Sequence, residues 1–199
     1  MAAPLKDPDT TMTLCILGRR RALLLLAAAP VACTSPNPNL YTLEAVPGQS
    51  RPGAPRTIEL RAIALARYLE RSQIVRSSED FRLDVLGNDW WGEPLDAMLA
   101  RVTIQNLTQR LDGSTVFSEN GAISGIPDAT LGINIQRMDQ NRSGSVVLIA
   151  QVSVTRRTSV ARTITITVLP PAAGTPGLVA AMSQAVGQLA DQTAGMLVA

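Results

Sequence analysis

Cys33 divides the chain: the residues before it read as a targeting segment, so only those after it are left to fold. Three arginines, Arg19, Arg20 and Arg21, precede an apolar run over 22–32, ALLLLAAAPVA, which ends at Cys33. A positive segment, a short apolar segment and small residues at a cleavage point form a secretory signal. A cysteine directly after the small Ala32 makes it a bacterial lipoprotein signal, cut before Cys33, with lipid carried on Cys33. Pro30 stands where such signals usually have Leu, and an ordinary signal cleaved after Ala32 is the alternative. Eleven apolar residues fall short of the roughly 20 needed to span a bilayer. Thr34, rather than Asp, follows the cysteine and points to the outer membrane.

Residues 1–11, MAAPLKDPDTT, hold two acids and two prolines and do not suit a signal, so Met12 is the more natural start. The expected organisation is a signal over 1–32, a lipidated tether over 33–39 and one domain over 40–199. Arg20 and Arg21 also loosely match a twin-arginine signal, which leaves the export route open.

Four of the 18 basic residues and two of the 16 acids precede Cys33, leaving 14 of each in the mature part. A neutral domain offers no basic footprint for nucleic acid. Aromatic residues make up 3% of the chain, too few for a base-stacking platform. The cysteines are Cys15 and Cys33, so with Cys15 removed and Cys33 lipidated no internal disulfide remains. The absence of histidine excludes Ser-His-Asp and Cys-His catalysis and the common His metal sites. Glu79, Asp80, Asp84 and Asp89 are spread out rather than paired, giving neither an acid/base dyad nor a calcium loop. No enzyme activity and no cofactor are expected.

Residues 40–46, LYTLEAV, are apolar enough for a first strand, and 47–55 form a Pro/Gly loop. Ile58, Leu60 and Ala62 alternate with polar residues, as do Phe81, Leu83 and Val85, and each set predicts a half-buried strand. The second of these should stop at Gly87-Asn88. Ile74-Val75 marks another strand. Pro94 suits a first helical position, and Leu95, Met98, Leu99 and Val102 follow at helical spacing. Ile104, Leu107 and Leu111 shift to another face, so a helix over about 93–111, ended by Gly113, should be buried on more than one side. Residues 116–128 lack a clear period.

Leu131, Ile133 and Ile135, the dense run 146–154, and Ile164, Ile166 and Val168 predict three strands of an antiparallel meander, joined through 141–144 and 155–158. A final helix is expected with Thr175 as cap and Pro176 in its first turn. Its stripe is narrow: Leu178, Met182, Val186, Leu189, Thr193 and Met196. Gly187 and Gly195 suit close packing on a sheet. The fold class is therefore α/β or α+β: a mixed, largely antiparallel sheet with one internal helix and a C-terminal helix packed on it, in a single domain.

Three elements together resemble the ABC-type transport auxiliary lipoprotein family. They are Tyr41-Thr42-Leu43, the run Tyr68-Leu69-Glu70-Arg71-Ser72-Gln73-Ile74-Val75-Arg76, and Asn88-Asp89-Trp90-Trp91-Gly92-Glu93-Pro94-Leu95. The resemblance implies an outer-membrane, periplasm-facing lipoprotein. The implied partner is a mammalian-cell-entry-type periplasmic protein of an ABC-driven system that moves lipids between membranes, and the implied assembly is self-associated. A structural envelope lipoprotein without a transport role is the alternative. Trp91 fits a structural role under the helix. Trp90, with Arg67, Arg71 and Arg76, forms the candidate partner-binding set, since Trp and Arg are enriched at interface hot spots. A merely solvated strand-loop surface is the competing reading of the three arginines.

Overall fold

The computed structural model describes residues 37–123 and 125–199. Cys33, the signal segment and the tether up to residue 36 lie outside the described residues. In chain order the elements are β1 (Asn39–Tyr41), β2 (Thr57–Leu60), β3 (Ala64–Leu65), a short 3-10 turn (Arg67–Leu69), β4 (Gln73–Ser77) and β5 (Asp84–Trp91). They continue with α1 (Leu95–Arg110), β6 (Thr115–Ser118), β7 (Ala129–Gln140), β8 (Val146–Thr155), β9 (Ser159–Val168) and α2 (Gly174–Val198).

Strand β7 is the axis of the sheet. Along one edge it pairs antiparallel with β8, and β8 pairs antiparallel with β9 over its whole length. This is the expected meander, whose two polar connections leave no room for a crossover. Along the other edge β7 receives β2, β3 and β4 in succession, all parallel, opposite Ala129, Asn134 and Gln140. Beyond them β6 adds parallel to β2, while β5 adds antiparallel to β4 and β1 parallel to β5. The long strands are antiparallel and the short ones mostly parallel, giving the mixed sheet.

Leu131, Ile133, Leu148, Ala150, Val152, Ile164 and Ile166 point from β7–β9 to one buried face. Both helices contribute to the same contiguous core, and α2 packs against β8 and β9. The opposite face of this meander is polar, with Asn134, Gln151, Ser153, Thr163 and Thr165 outward.

Several elements depart from the sequence expectation. The first strand ends at Tyr41, not Val46, because the following N–H groups find partners on the helices. Leu43 N–H donates to Met98 Sδ (3.2 Å), Glu44 N–H to Ser183 Oγ (3.1 Å) and Val46 N–H to Asn106 Oδ1 (2.8 Å). Residues 42–51 thus form a strap across α1 and α2. β2 stops at Leu60, and Ala62 is exposed while Ile63 is buried. Phe81 and Leu83 lie outside β5, in the turn before it, where Asp80 and Phe81 have positive φ. Gly87-Asn88 does not end that strand. Between the pairs Val75↔Val85 and Gln73↔Trp90 the register shifts, so extra residues of β5 are absorbed in a bulge and pairing resumes. Val116 and Phe117 belong to a short strand, β6, that periodicity did not reveal.

The stripe of α1 stays on one face rather than moving to another. Leu95, Met98, Leu99, Val102, Thr103, Asn106, Leu107 and Arg110 are all buried, at spacings of three and four. Three polar residues complete it, and Ile104 is only half-buried. In α2 burial is broad rather than narrow, because Ala181, Ala185, Ala190 and Ala194 are buried too and one flank of the helix meets α1 and the strap. Thr175 does not cap α2: its hydroxyl donates to Asp89 of β5. Gly187 faces the strap, not the sheet. A Cβ there would stand 2.9 Å from Val46 Cβ, closer than side chains pack.

Candidate docking surface

Two polar clusters hold the frame on which the surface is built. In the first, Arg110 at the end of α1 has a side chain 1% exposed. Its Nε donates to Asp191 Oδ1 of α2 at 2.7 Å, and its Nη1 donates to the carbonyls of Val46 and Asn106, each at 3.0 Å. One buried guanidinium therefore joins both helices and the strap. Gly48 permits it, since a Cβ there would lie 2.2 Å from Arg110 Cζ. Arg110, Asn106 and Asp191 were missed as sequence signals. The signal was the helical period itself, which puts 106 and 110 on the line 95, 99, 102, 103.

In the second cluster, buried Asp139 of β7 accepts from Tyr68 Oη and Ser78 Oγ at 2.8 Å and from Arg137 Nε at 3.0 Å. Burial first, then the bond to the Asp139 carboxylate, pushes the Tyr68 phenol well above its ordinary range. Tyr68 stays a neutral donor, fixing the 3-10 turn to the sheet. Both carboxylate oxygens of Asp139 accept from within the domain, so the cluster braces the 3-10 turn against β7.

The candidate residues separate into two places. Trp91 lies in the core, and its N–H donates to Ser72 O at 2.7 Å. Trp90 points to the other side, half-buried, with its indole N–H on Gly87 O at 3.1 Å. It stands opposite Leu40 of β1 and Gln73 of β4. Arg71 is exposed two residues before Gln73, its Nε on Tyr68 O at 2.9 Å, and Arg67 is exposed at the start of the 3-10 turn. Trp90 and Arg71 thus flank the same end of the β4–β5 pair, and Arg67 stands on the turn that leads into it. On the Trp91 side, next to Arg71, a cleft of about 540 Å³ has an apolar floor of Ile63, Leu65 and Leu95 and a rim of Glu70, Glu93 and Asp96. Arg76 is not with them. It sits at the far end of β4, with Nε on Asp84 Oδ2 at 2.7 Å, where its charge is already matched.

Among the described residues no group of three His, Cys, Asp or Glu converges as a metal site, and no helix is long and apolar enough to cross a membrane.

Residues 41–194 match the family model described as the ABC-type transport auxiliary lipoprotein component. The chain is 25% identical over 135 residues to the intermembrane transport lipoprotein PqiC of Escherichia coli strain K12, covering 65% of this chain and 71% of that protein. Among solved structures, a DUF330-family protein from Xanthomonas campestris superposes with a TM-score of 0.65 at 17% identity, covering 80% of this chain and 94% of the other. A crystal structure of an uncharacterized protein gives a TM-score of 0.69 at 19% identity, covering 80% and 98%. These two likenesses show the fold.

Proposed function

The chain belongs to the ABC-type transport auxiliary lipoprotein family, and on that premise we propose that it is the outer-membrane accessory subunit of an intermembrane lipid transport system. It is anchored through lipid on Cys33, faces the periplasm, and docks to a mammalian-cell-entry-type periplasmic protein. The observation that carries this reading is the similarity over most of the domain to a protein named as an intermembrane transport lipoprotein. The docking set is Trp90 with Arg67 and Arg71, an aromatic anchor beside two exposed guanidinium groups. Arg76, ion-paired at the other end of β4, contributes little to it. Self-association is supported by β9, a ten-residue strand that among the described residues pairs with β8 alone, leaving its other edge for a second copy.

Purification of the lipidated protein from its own envelope, in detergents that keep envelope complexes together, tests the reading. A mammalian-cell-entry-type protein should co-purify and should crosslink from position 90. Recovery of the chain alone would favour a free-standing structural lipoprotein. Replacement of Cys33 by Ala should release the protein from membranes; unchanged fractionation would remove the anchor from the account.

A further inference from the structure

The loops at one end of the sheet present apolar side chains that are left exposed among the described residues. β4 ends, β5 begins, β7 ends, β8 begins and β9 ends there, as the pairs Ser77↔Asp84, Ser77↔Gln140, Gln140↔Val146 and Val146↔Val168 require. Phe81 is fully exposed at the tip of the β4–β5 turn, Leu83 is 41% exposed beside it, and Leu169, just past β9, is 72% exposed. Leu169 and Leu86 line one groove with Arg76, so the β9–α2 loop lies against the ends of β4 and β5 from which the Phe81 turn projects.

The tip is held outward. Asp80 and Phe81 both adopt left-handed backbone, which is rare for a bulky aromatic. Asp80 is tied to Arg142 of the neighbouring turn, and Arg82 N–H donates to Glu79 O at 3.1 Å. The side chain of Arg82 is exposed and makes no ion pair among the described residues, a free cation between Phe81 and Leu83.

The direction of the chain selects this end over the other. β1 runs parallel to β5, with Asn39 opposite Asp89 and Tyr41 opposite Trp91. The chain therefore enters β1 from the side on which β5 begins, the side of Phe81. Four chain steps lead from Cys33 to Asn37, a reach of at most about 14 Å. β7 alone is 12 residues long, about 36 Å. The opposite end also shows apolar side chains, Ile123 and Ile126, but a lipid on Cys33 cannot hold that end against a bilayer.

We propose that the Phe81–Leu83 turn and Leu169 form the membrane-contacting end of the domain, with Phe81 entering the lipid interface and Arg82 meeting phosphate groups. An apolar ring at the headgroup/acyl boundary beside a cation that meets anionic headgroups is the chemistry of an interfacial anchor. The proposal rests on anchoring at Cys33. It deepens the functional reading by fixing orientation, since Trp90 and Arg71 lie at the other end of the β4–β5 pair, away from the membrane.

A photo-crosslinking phenylalanine analogue placed at position 81, 169 or 126 of the full chain, in its native envelope, tests this. Positions 81 and 169 should give adducts whose mass is that of one phospholipid, and position 126 should not. Adducts to protein at 81 and 169, or no adduct there, overturn the proposal, and so does an equal lipid yield at 126. All three side chains are exposed, so the fold tolerates the replacements, and membrane fractionation of each variant checks this. Intact mass of the same preparations reads acylation of Cys33 separately. Acyl chains without lipid adducts would remove the tip and keep the anchor; lipid adducts without acyl chains would do the reverse.

Discussion

Arg110 and Asp191 form an ion pair whose two ends live in different surroundings. The guanidinium is 1% exposed and the carboxylate 38%. Removing the exposed partner strands a charge in the core, whereas removing the buried one leaves a carboxylate that water can reach. Asp191→Ala should therefore cost about 3 kcal/mol, near the lower end for a broken buried pair. Arg110→Met, which fills the space with apolar atoms, should cost about 2 kcal/mol, chiefly from the unpaired Val46 carbonyl. Urea unfolding monitored by tryptophan fluorescence gives both values. A cost below about 0.5 kcal/mol for Asp191→Ala would mean the pair does not hold the helices together.

Gly48 and Arg110 should behave as one unit. A methyl group at position 48 meets the guanidinium at 2.2 Å, and the guanidinium is pinned by four groups on the strap and both helices. Gly48→Ala should destabilise by about 2 kcal/mol in the wild-type background and by less than half of that beside Arg110→Met, where the thioether can move aside. A double-mutant cycle reads the difference. Additive costs would show that the strap yields instead of the arginine.

What the sequence made legible were the elements whose pattern comes from burial on one face. The meander over 129–168 and the two helices appear where alternation and helical spacing put them. The parts that stayed hidden are those whose partners are distant in sequence. Residues 42–46 look like a strand because Leu43 and Val46 are apolar, yet their N–H groups bond to Met98, Ser183 and Asn106. Arg110 and Asn106 look like surface positions until α2 and the strap close over them. Likewise Trp90 and Arg71 come to the same end of the strand pair only because β5 folds back on β4, and the same fold carries Arg76 away. Position 81 fits a strand by alternation, which cannot register a left-handed turn.

Asp89 ties three elements together and should give the domain an acid-sensitive edge. Hydrogen bonds from the Thr175 hydroxyl and then the Asn39 amide hold its carboxyl below the ordinary carboxylate range. A depressed folded pKa stabilises above the unfolded value of 3.8 and loses that stabilisation as pH falls through the lower folded value. Below about pH 4, β1 should loosen from β5 while the meander persists. The fluorescence of Trp90, which faces Leu40 of β1, should shift in that window. Asp89→Asn should show the shifted signal already at pH 7 and no further change; a pH response unaltered by that substitution would place its origin elsewhere.

Trp90 and Trp91 are adjacent and should separate stability from docking. Trp91 is buried against the core, so Trp91→Ala should cost about 3–5 kcal/mol, the range for deleting a large core aromatic. Trp90 has one indole bond and is half exposed, so Trp90→Ala should cost about 1 kcal/mol. If position 90 is an interface anchor, its truncation should nonetheless abolish co-purification of the periplasmic partner, because anchors of this kind carry a disproportionate share of binding energy. Arg71→Ala should weaken recovery further only in combination, given its exposed position beside the same end of β4. Thermal unfolding and pull-down from the envelope, run on the same preparations, give the two readouts. A Trp90→Ala protein that folds and still brings down its partner would move the docking surface away from this end of the sheet.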